Sequence, residues 1–254
     1  LPGPGNKNQV GEDFVKIAYF DCFSGISGDM LLAAFLDLGL PLEQLNEGLS
    51  RLGLDEFYLE VSRVSKGGIY GTKLDVVIPP HSPCPDRHLG EITEIIERSG
   101  LEEEVRETAV KIFEKIAAAE GKIHNQPPER VHFHEVGAVD SIVDVVGSVL
   151  AAKLLGIERF YSSPLPMGRG FASTAHGPVP LPAPATAELL KGVPVYWVDS
   201  EKELVTPTGA AILTTLVSDF GFFPPARWEQ IGYGCGSRDR KIPNLLRIFV
   251  GQSR

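Results

Sequence analysis

Two histidines one residue apart, His132 and His134, are followed by Glu135, Asp140 and Asp144. Imidazole and carboxylate donors with no cysteine among them suit divalent Ni, Zn, Mn, Fe or Co and do not choose between these metals. In an extended strand alternate side chains share a face, so His132 and His134 would point together while Phe133 turns to the core. Gly137 permits a tight turn, and Asp140 is placed to cap the next helix, where free amides favour a carboxylate. Asp144 lies one turn further along the same helix face, among Ile142, Val143, Val145, Val146, Val149 and Leu150. A carboxylate buried in such company is costly unless a cation, a histidine or several donors compensate it. One reading is metal binding or proton transfer by His132, His134, Glu135 and Asp144, with Asp140 as a further ligand. The other is a structural Asp–His hydrogen bond with Asp140 as a plain cap.

Other segments offer supporting chemistry. In the run DCFSGISGD, residues 21–29, a strand gives way to a helix, which is where open α/β sheets place ligands. Ser24, Gly25, Ser27 and Gly28 could let backbone amides cradle an anion, although the Gly-Lys-Ser/Thr ending of a nucleotide-binding P-loop is missing. Asp21 and Asp29 are further metal candidates, with helix capping by Ser27 or Asp29 an equal alternative. Thr206 and Thr208 flank Pro207 at a helix start that leaves amides free. Arg169 and Arg238 follow strands and could hold a phosphate; His176 is a third imidazole candidate or a loop histidine. His81, Cys84 and His88 have the spacing of a weak metal-capturing loop or of ordinary surface variation.

The elements that must position these groups alternate between strand and helix. Residues 15–20 read as a buried strand, 30–38 and 42–52 as helices, and 58–64 with 72–78 as a hairpin about Gly67-Gly68. Helices follow at 90–98 and 102–121, the second buried through Val105, Ala109, Ile112, Ile116 and Ala119. A strand edge at 130–135 leads into an apolar helix at 140–155 and a strand at 160–165. Pro164, Pro166, Pro178, Pro180, Pro182 and Pro184 predict rigid packed turns. A helix at 206–220 and strands at 228–233 and 245–250 complete an α/β sandwich with a mixed sheet. It forms one body over residues 14–254 or two lobes, 14–125 and 126–254. Residues 1–13 have the composition of an unpacked leader or cloning remnant.

Composition narrows the class. The chain has 254 residues, 43% of them hydrophobic, enough for one large core or two modest ones. A formal charge of −9 argues against a nucleic-acid surface, which draws its affinity from clustered cations. No apolar run approaches the ~20 residues of a bilayer span, no secretory signal opens the chain, and the expected compartment is the cytoplasm. Three cysteines, Cys22, Cys84 and Cys235, are an odd and scattered set, expected as free thiols.

Taken in order, YFDCFSGISGDMLL (19–32), VHFHEVGAVDSIVDVVG (131–147), SPLPMGRGF (163–171), AHGPVPLPAPAT (175–186), ELVTPTGAA (203–211), IGYGCGSRD (231–239) and PNLLR (243–247) resemble the nickel-insertion protein family called LarC. The resemblance implies a CTP-dependent cyclometallase that places nickel in a thiocarboxylated pyridinium mononucleotide. The product is the nickel-pincer cofactor of lactate racemase-type enzymes, with a nickel–carbon bond between two nickel–sulfur bonds. Nickel and CTP with Mg or Mn are the implied cofactors. A C-terminal region that members associate with CTP is absent here, so the implied partners include such a portion alongside the substrate, and a homo-oligomer stays open. Ring metallation removes a carbon-bound proton, for which His132, His134, Glu135 and Asp144 are the candidate bases. Arg169, Arg238 and the 206–209 turn are the candidate phosphate holders. A metal-dependent hydrolase and a non-catalytic nickel-binding module are the alternatives.

Overall fold

The computed structural model describes residues 14–54, 57–80, 87–131, 133, 139–174 and 177–253. Strand β1 (Val15–Asp21) runs into helix α1 (Gly28–Asp37), followed by α2 (Leu42–Ser50) and the hairpin β2 (Tyr58–Lys66) and β3 (Ile69–Val77). Helices α3 (Leu89–Arg98), α4 (Glu103–His124) and α5 (Val139–Leu154) follow. The remainder is β4 (Arg159–Ser162), β5 (Leu165–Met167), β6 (Phe171–Thr174), β7 (Gly177–Pro180), α6 (Pro184–Leu189), β8 (Val195–Trp197), α7 (Pro207–Leu216), β9 (Val217–Phe220), β10 (Arg227–Cys235) and β11 (Leu245–Ser253). No helix among the described residues is long and apolar enough to cross a membrane.

Seven strands form one mixed sheet in the order β2-β3-β10-β11-β1-β4-β9, as the α/β reading expects. Strands β1, β4 and β9 run parallel, whereas β11 lies antiparallel between β1 and β10. Strands from beyond residue 126, β10 and β11, thus sit between β3 and β1. Alternation divides the sheet's faces. Ala18 and Phe20 pair across from Val250 and Ile248, and all four enter the core shared with α1, α4, α5 and α7. Tyr19 and Phe249, on the opposite face, pack edge-on against Phe223, which also packs against Trp228.

Helix α5 is buried almost all round, with Val139, Ile142, Val143, Val145 and Val146 fully inaccessible. It packs between α1 and α4. A helix apolar on every side stabilises a core from within, so its one interior acid, Asp144, is conspicuous. Cys22 and Cys235 are free and buried. Burial lifts the Cys22 thiol to about 12, so it stays protonated and unreactive.

Three boundaries differ from the sequence pattern. Of the expected strand edge at 130–135, Arg130 ends a 3-10 turn (Pro128–Arg130), and Val131 and Phe133 lie outside any strand. Pro127 and Pro128, just before that stretch, set the turn. Phe133 is nonetheless buried, its ring 6.3 Å from that of Phe113, as expected of a core-facing residue. The strand at 160–165 splits into β4 and β5, since Pro164 cannot donate to the ladder. The helix at 206–220 stops at Leu216, and β9 continues from it along the free edge of β4, pairing Phe160 with Val217 and Ser162 with Phe220. That edge offers backbone partners that helical periodicity alone does not reveal.

Candidate functional site

Two helices start side by side. The loop from β1 to α1 and the segment before α7 are joined by a parallel bridge between Ile26 and Val205. Ile26 N–H donates to Leu204 O at 2.9 Å and Thr206 N–H to Ile26 O at 3.1 Å. This puts the first turns of α1 and α7 against one another, and α5 crosses them with Asp144. The approach of α1 to α5 requires Gly28, where a Cβ would lie 2.5 Å from both Cβ and Oδ2 of Asp144.

The result is a cleft of about 350 Å³ whose walls include Asp29, Asp75, Asp140, Asp144, Glu203 and Thr208. Asp144 is largely buried in the cleft wall, and its carboxylate accepts the backbone N–H of Asp29. Its Oδ1 has no hydrogen-bond partner among the described residues. Burial above all, then repulsion from Asp29 and Asp140, pushes its carboxyl well above the usual range. Asp29 is also raised by burial, but its carboxylate accepts from Ser27 Oγ and Met30 N–H and feels Lys73. The less compensated acid, Asp144, is therefore the one that holds a proton more readily.

Sequence reasoning brought Ser27, Gly28, Asp140, Asp144, Thr206 and Thr208 to this cleft, and all of them line it. Asp140 stands inside the first turn of α5, its Oδ1 accepting from Ser141 N–H at 2.8 Å, instead of capping from outside. Thr206 does cap α7, accepting from Gly209 N–H at 3.1 Å. The anion cradle expected of Ser24 and Gly25 is not formed: Gly25 N–H donates to Cys22 O, Ile26 N–H to Leu204 O, and Ser24 O accepts from Arg240. These amides stitch the loop together and are not free for a ligand.

Asp21 does not line the cleft; Arg247 Nε and Nη2 hold its carboxylate at 2.9 and 2.5 Å. Arg169 pairs with Asp199 at 2.6 Å, and Arg238 is exposed. His88 leads into α3, where Glu91 accepts its backbone N–H at 2.8 Å. His132, His134, Glu135 and His176, with His81 and Cys84, lie outside the described residues. Among the described residues no three His, Cys, Asp or Glu side chains are arranged to hold a metal ion.

Sequence reasoning missed Lys73, Asp75, Glu203 and Arg240. Arg240, on the β10–β11 connection, clasps both loops, Nη1 donating to Ser24 O and Nη2 to Glu203 O, each at 2.9 Å. Only its place in an arginine-rich run, SRDRK, hinted at a role. Hydrogen bonds from a charged donor contribute about 1.5–3 kcal/mol each, so Arg240→Ala is expected to speed amide exchange at Ile26 and Thr206 together by ~tenfold or more. Protection in β1 and β11 should stay. Loosening of only one loop, measured by exchange mass spectrometry, would contradict the clasp.

A sequence model described as nickel insertion protein matches residues 18–254. The chain belongs to the nickel insertion protein family. A relative from Dictyoglomus thermophilum is 50% identical over 238 residues, covering 94% of this chain and 61% of its own length. One from Desulfitobacterium hafniense strain DCB-2, named pyridinium-3,5-bisthiocarboxylic acid mononucleotide nickel insertion protein, is 52% identical over 239 residues, or 94% of this chain and 59% of its own. The chain thus spans about three fifths of the length of these nickel insertion proteins. No solved structure gives a significant match.

Proposed function

We propose that this chain carries the metallation centre of a nickel insertase acting on pyridinium-3,5-bisthiocarboxylic acid mononucleotide, the compound in the name of the Desulfitobacterium relative. The observation that carries this reading is the buried carboxyl of Asp144, its Oδ1 unpartnered among the described residues, between the first turns of α1 and α7. A carboxyl raised by burial is a stronger base than an exposed one and is suited to a reluctant carbon acid.

In the proposed step nickel and the pyridinium cation in the cleft favour the ionised form of Asp144, and the ring carbon between the two thiocarboxylates gives its proton to that carboxylate. The electron pair of that carbon–hydrogen bond becomes the carbon–nickel bond, and nickel stays divalent. His132 and His134 deliver nickel, the cargo of the reaction, and the soft thiocarboxylate sulfurs take it up. Glu135 and His176 are secondary donors in this reading. Asp29, Asp75, Asp140 and Glu203 give the cleft a negative field that attracts the cation and the positive ring, with Lys73 and Arg240 balancing it in part. The same field repels a phosphate, so the phosphate belongs outside the cleft.

The lyase-class, CTP-dependent reaction implied by the family resemblance is assigned to the longer protein. The described lining of the cleft holds no lysine or arginine for a triphosphate, so this reading places CTP, with its Mg or Mn, in the additional length of the relatives. The test is incubation with nickel and the bis-thiocarboxylate mononucleotide, with and without CTP and the additional region, following the product by absorbance and mass. His132→Ala and His134→Ala are expected to lose nickel retention on gel filtration by ~tenfold or more, the loss typical of disturbed metal sites. Unchanged nickel retention in both variants would sink the delivery role. Turnover appearing only with the additional region would make this chain the nickel-binding module and not the complete enzyme.

A further inference from the structure

Strand β8 is exposed on both faces: Val195, Tyr196 and Trp197 are 48%, 42% and 68% accessible. Aromatic side chains left in water in a row mark a surface that meets something else. β8 pairs in parallel with β5, Tyr196 opposite Pro166 and Trp197 opposite Met167. Trp197 opens onto a cavity of about 490 Å³ whose other described walls are Arg169, Val198 and Asp199. The Arg169–Asp199 pair is 70% and 83% exposed, and so open an ion pair holds its guanidinium weakly. A phosphate, matching the guanidinium fork in two places, competes well for it.

This cavity is tied to the acidic cleft by one short segment. Arg169 N–H donates to Ser200 O at 2.7 Å and Val198 N–H to Met167 O at 3.0 Å. Glu203, in the cleft wall, is four residues from Asp199, a span of at most ~14 Å of extended chain. A ligand whose ring lies in the cleft therefore has its tail within range of Arg169 and Trp197.

We propose that Trp197 and Arg169 form the subsite for the ribose phosphate of the substrate, the indole lying against the sugar and the guanidinium holding the phosphate. This rests on the metallation reading of the cleft and adds to it the place of the nucleotide tail. It also gives the phosphate a guanidinium partner outside the cleft, which itself repels phosphate.

The probe is the sulfur-free analogue, pyridinium-3,5-biscarboxylic acid mononucleotide, with its dephosphorylated riboside, titrated calorimetrically into the whole chain. Arg169→Ala is expected to weaken the mononucleotide about tenfold or more and leave the riboside unchanged, because only the phosphate contact is lost. Trp197→Ala should weaken both, by about tenfold. Both positions are exposed, and near-ultraviolet circular dichroism with a thermal melt verifies that the variants fold. In the insertion assay Arg169→Ala should raise KM and spare kcat, the reverse of a change at Asp144. Wild-type binding of the mononucleotide by Arg169→Ala, or an equal loss for the riboside, would overturn the subsite. If the wild type, supplied with CTP and the additional region, inserts no nickel while these binding differences hold, it is the metallation reading that falls.

Discussion

Asp144→Asn is expected to lower nickel insertion by roughly 100- to 10,000-fold, the contribution of a positioned general base, while leaving affinity for the mononucleotide near the wild-type value. Asn keeps the shape and an acceptor for Asp29 N–H, but cannot take a proton. Stability offers a second readout. Burial raises the Asp144 carboxyl well above its ordinary value, so the folded chain binds a proton that the unfolded chain has already released. Stability then falls as pH rises from the unfolded to the folded pKa, and the charged form is the one the fold tolerates least. Asn removes that penalty. The urea midpoint of the variant should therefore gain on the wild type as pH increases through this window. A variant that inserts nickel at more than a tenth of the wild-type rate would remove Asp144 from the chemistry; a midpoint difference that shrinks with pH would deny its buried protonation.

The second large effect is expected at Gly25. Its φ of +95° is a conformation that side chains rarely adopt, and a Cβ there would fall on the carbonyl of Leu204, the acceptor that fixes the two loops together. Gly25→Ala combines an unfavourable backbone region with forced separation of those loops, for a destabilisation of about 2–5 kcal/mol. Urea unfolding should show the loss with an unchanged slope, and insertion activity should fall in whatever fraction stays folded. A cost below about 1 kcal/mol, within the range of ordinary substitutions, would mean that the loops part easily and that the α1–α7 junction does not depend on this close approach.

Legibility varied with the range of the interactions involved. The β1 strand, the β2–β3 hairpin and α4 follow from local periodicity, and their bounds in the structure agree with the pattern to within a few residues. The burial of Asp144 was readable because its neighbours in α5 are apolar on every side. Local signals failed at β9, where the edge of β4 outcompetes helical continuation, and at Arg130 and Val131, where two prolines shape the turn before them. Asp21 looked like a ligand from its position after a strand, but its charge is taken up by Arg247, delivered by the antiparallel pairing of β1 with β11.

By itself the sequence determined the α/β class, the family, and a carboxylate set among apolar residues of α5, because each rests on residue type and short spacing. Tertiary structure decided which acids share the cleft. Asp29 meets Asp144 through the Gly28 approach, Asp75 arrives from the hairpin, and Glu203 comes through the Ile26–Val205 bridge, clasped by Arg240 from a third loop. Such convergence depends on strand register and helix packing between segments far apart in the chain, where no local periodicity carries the information.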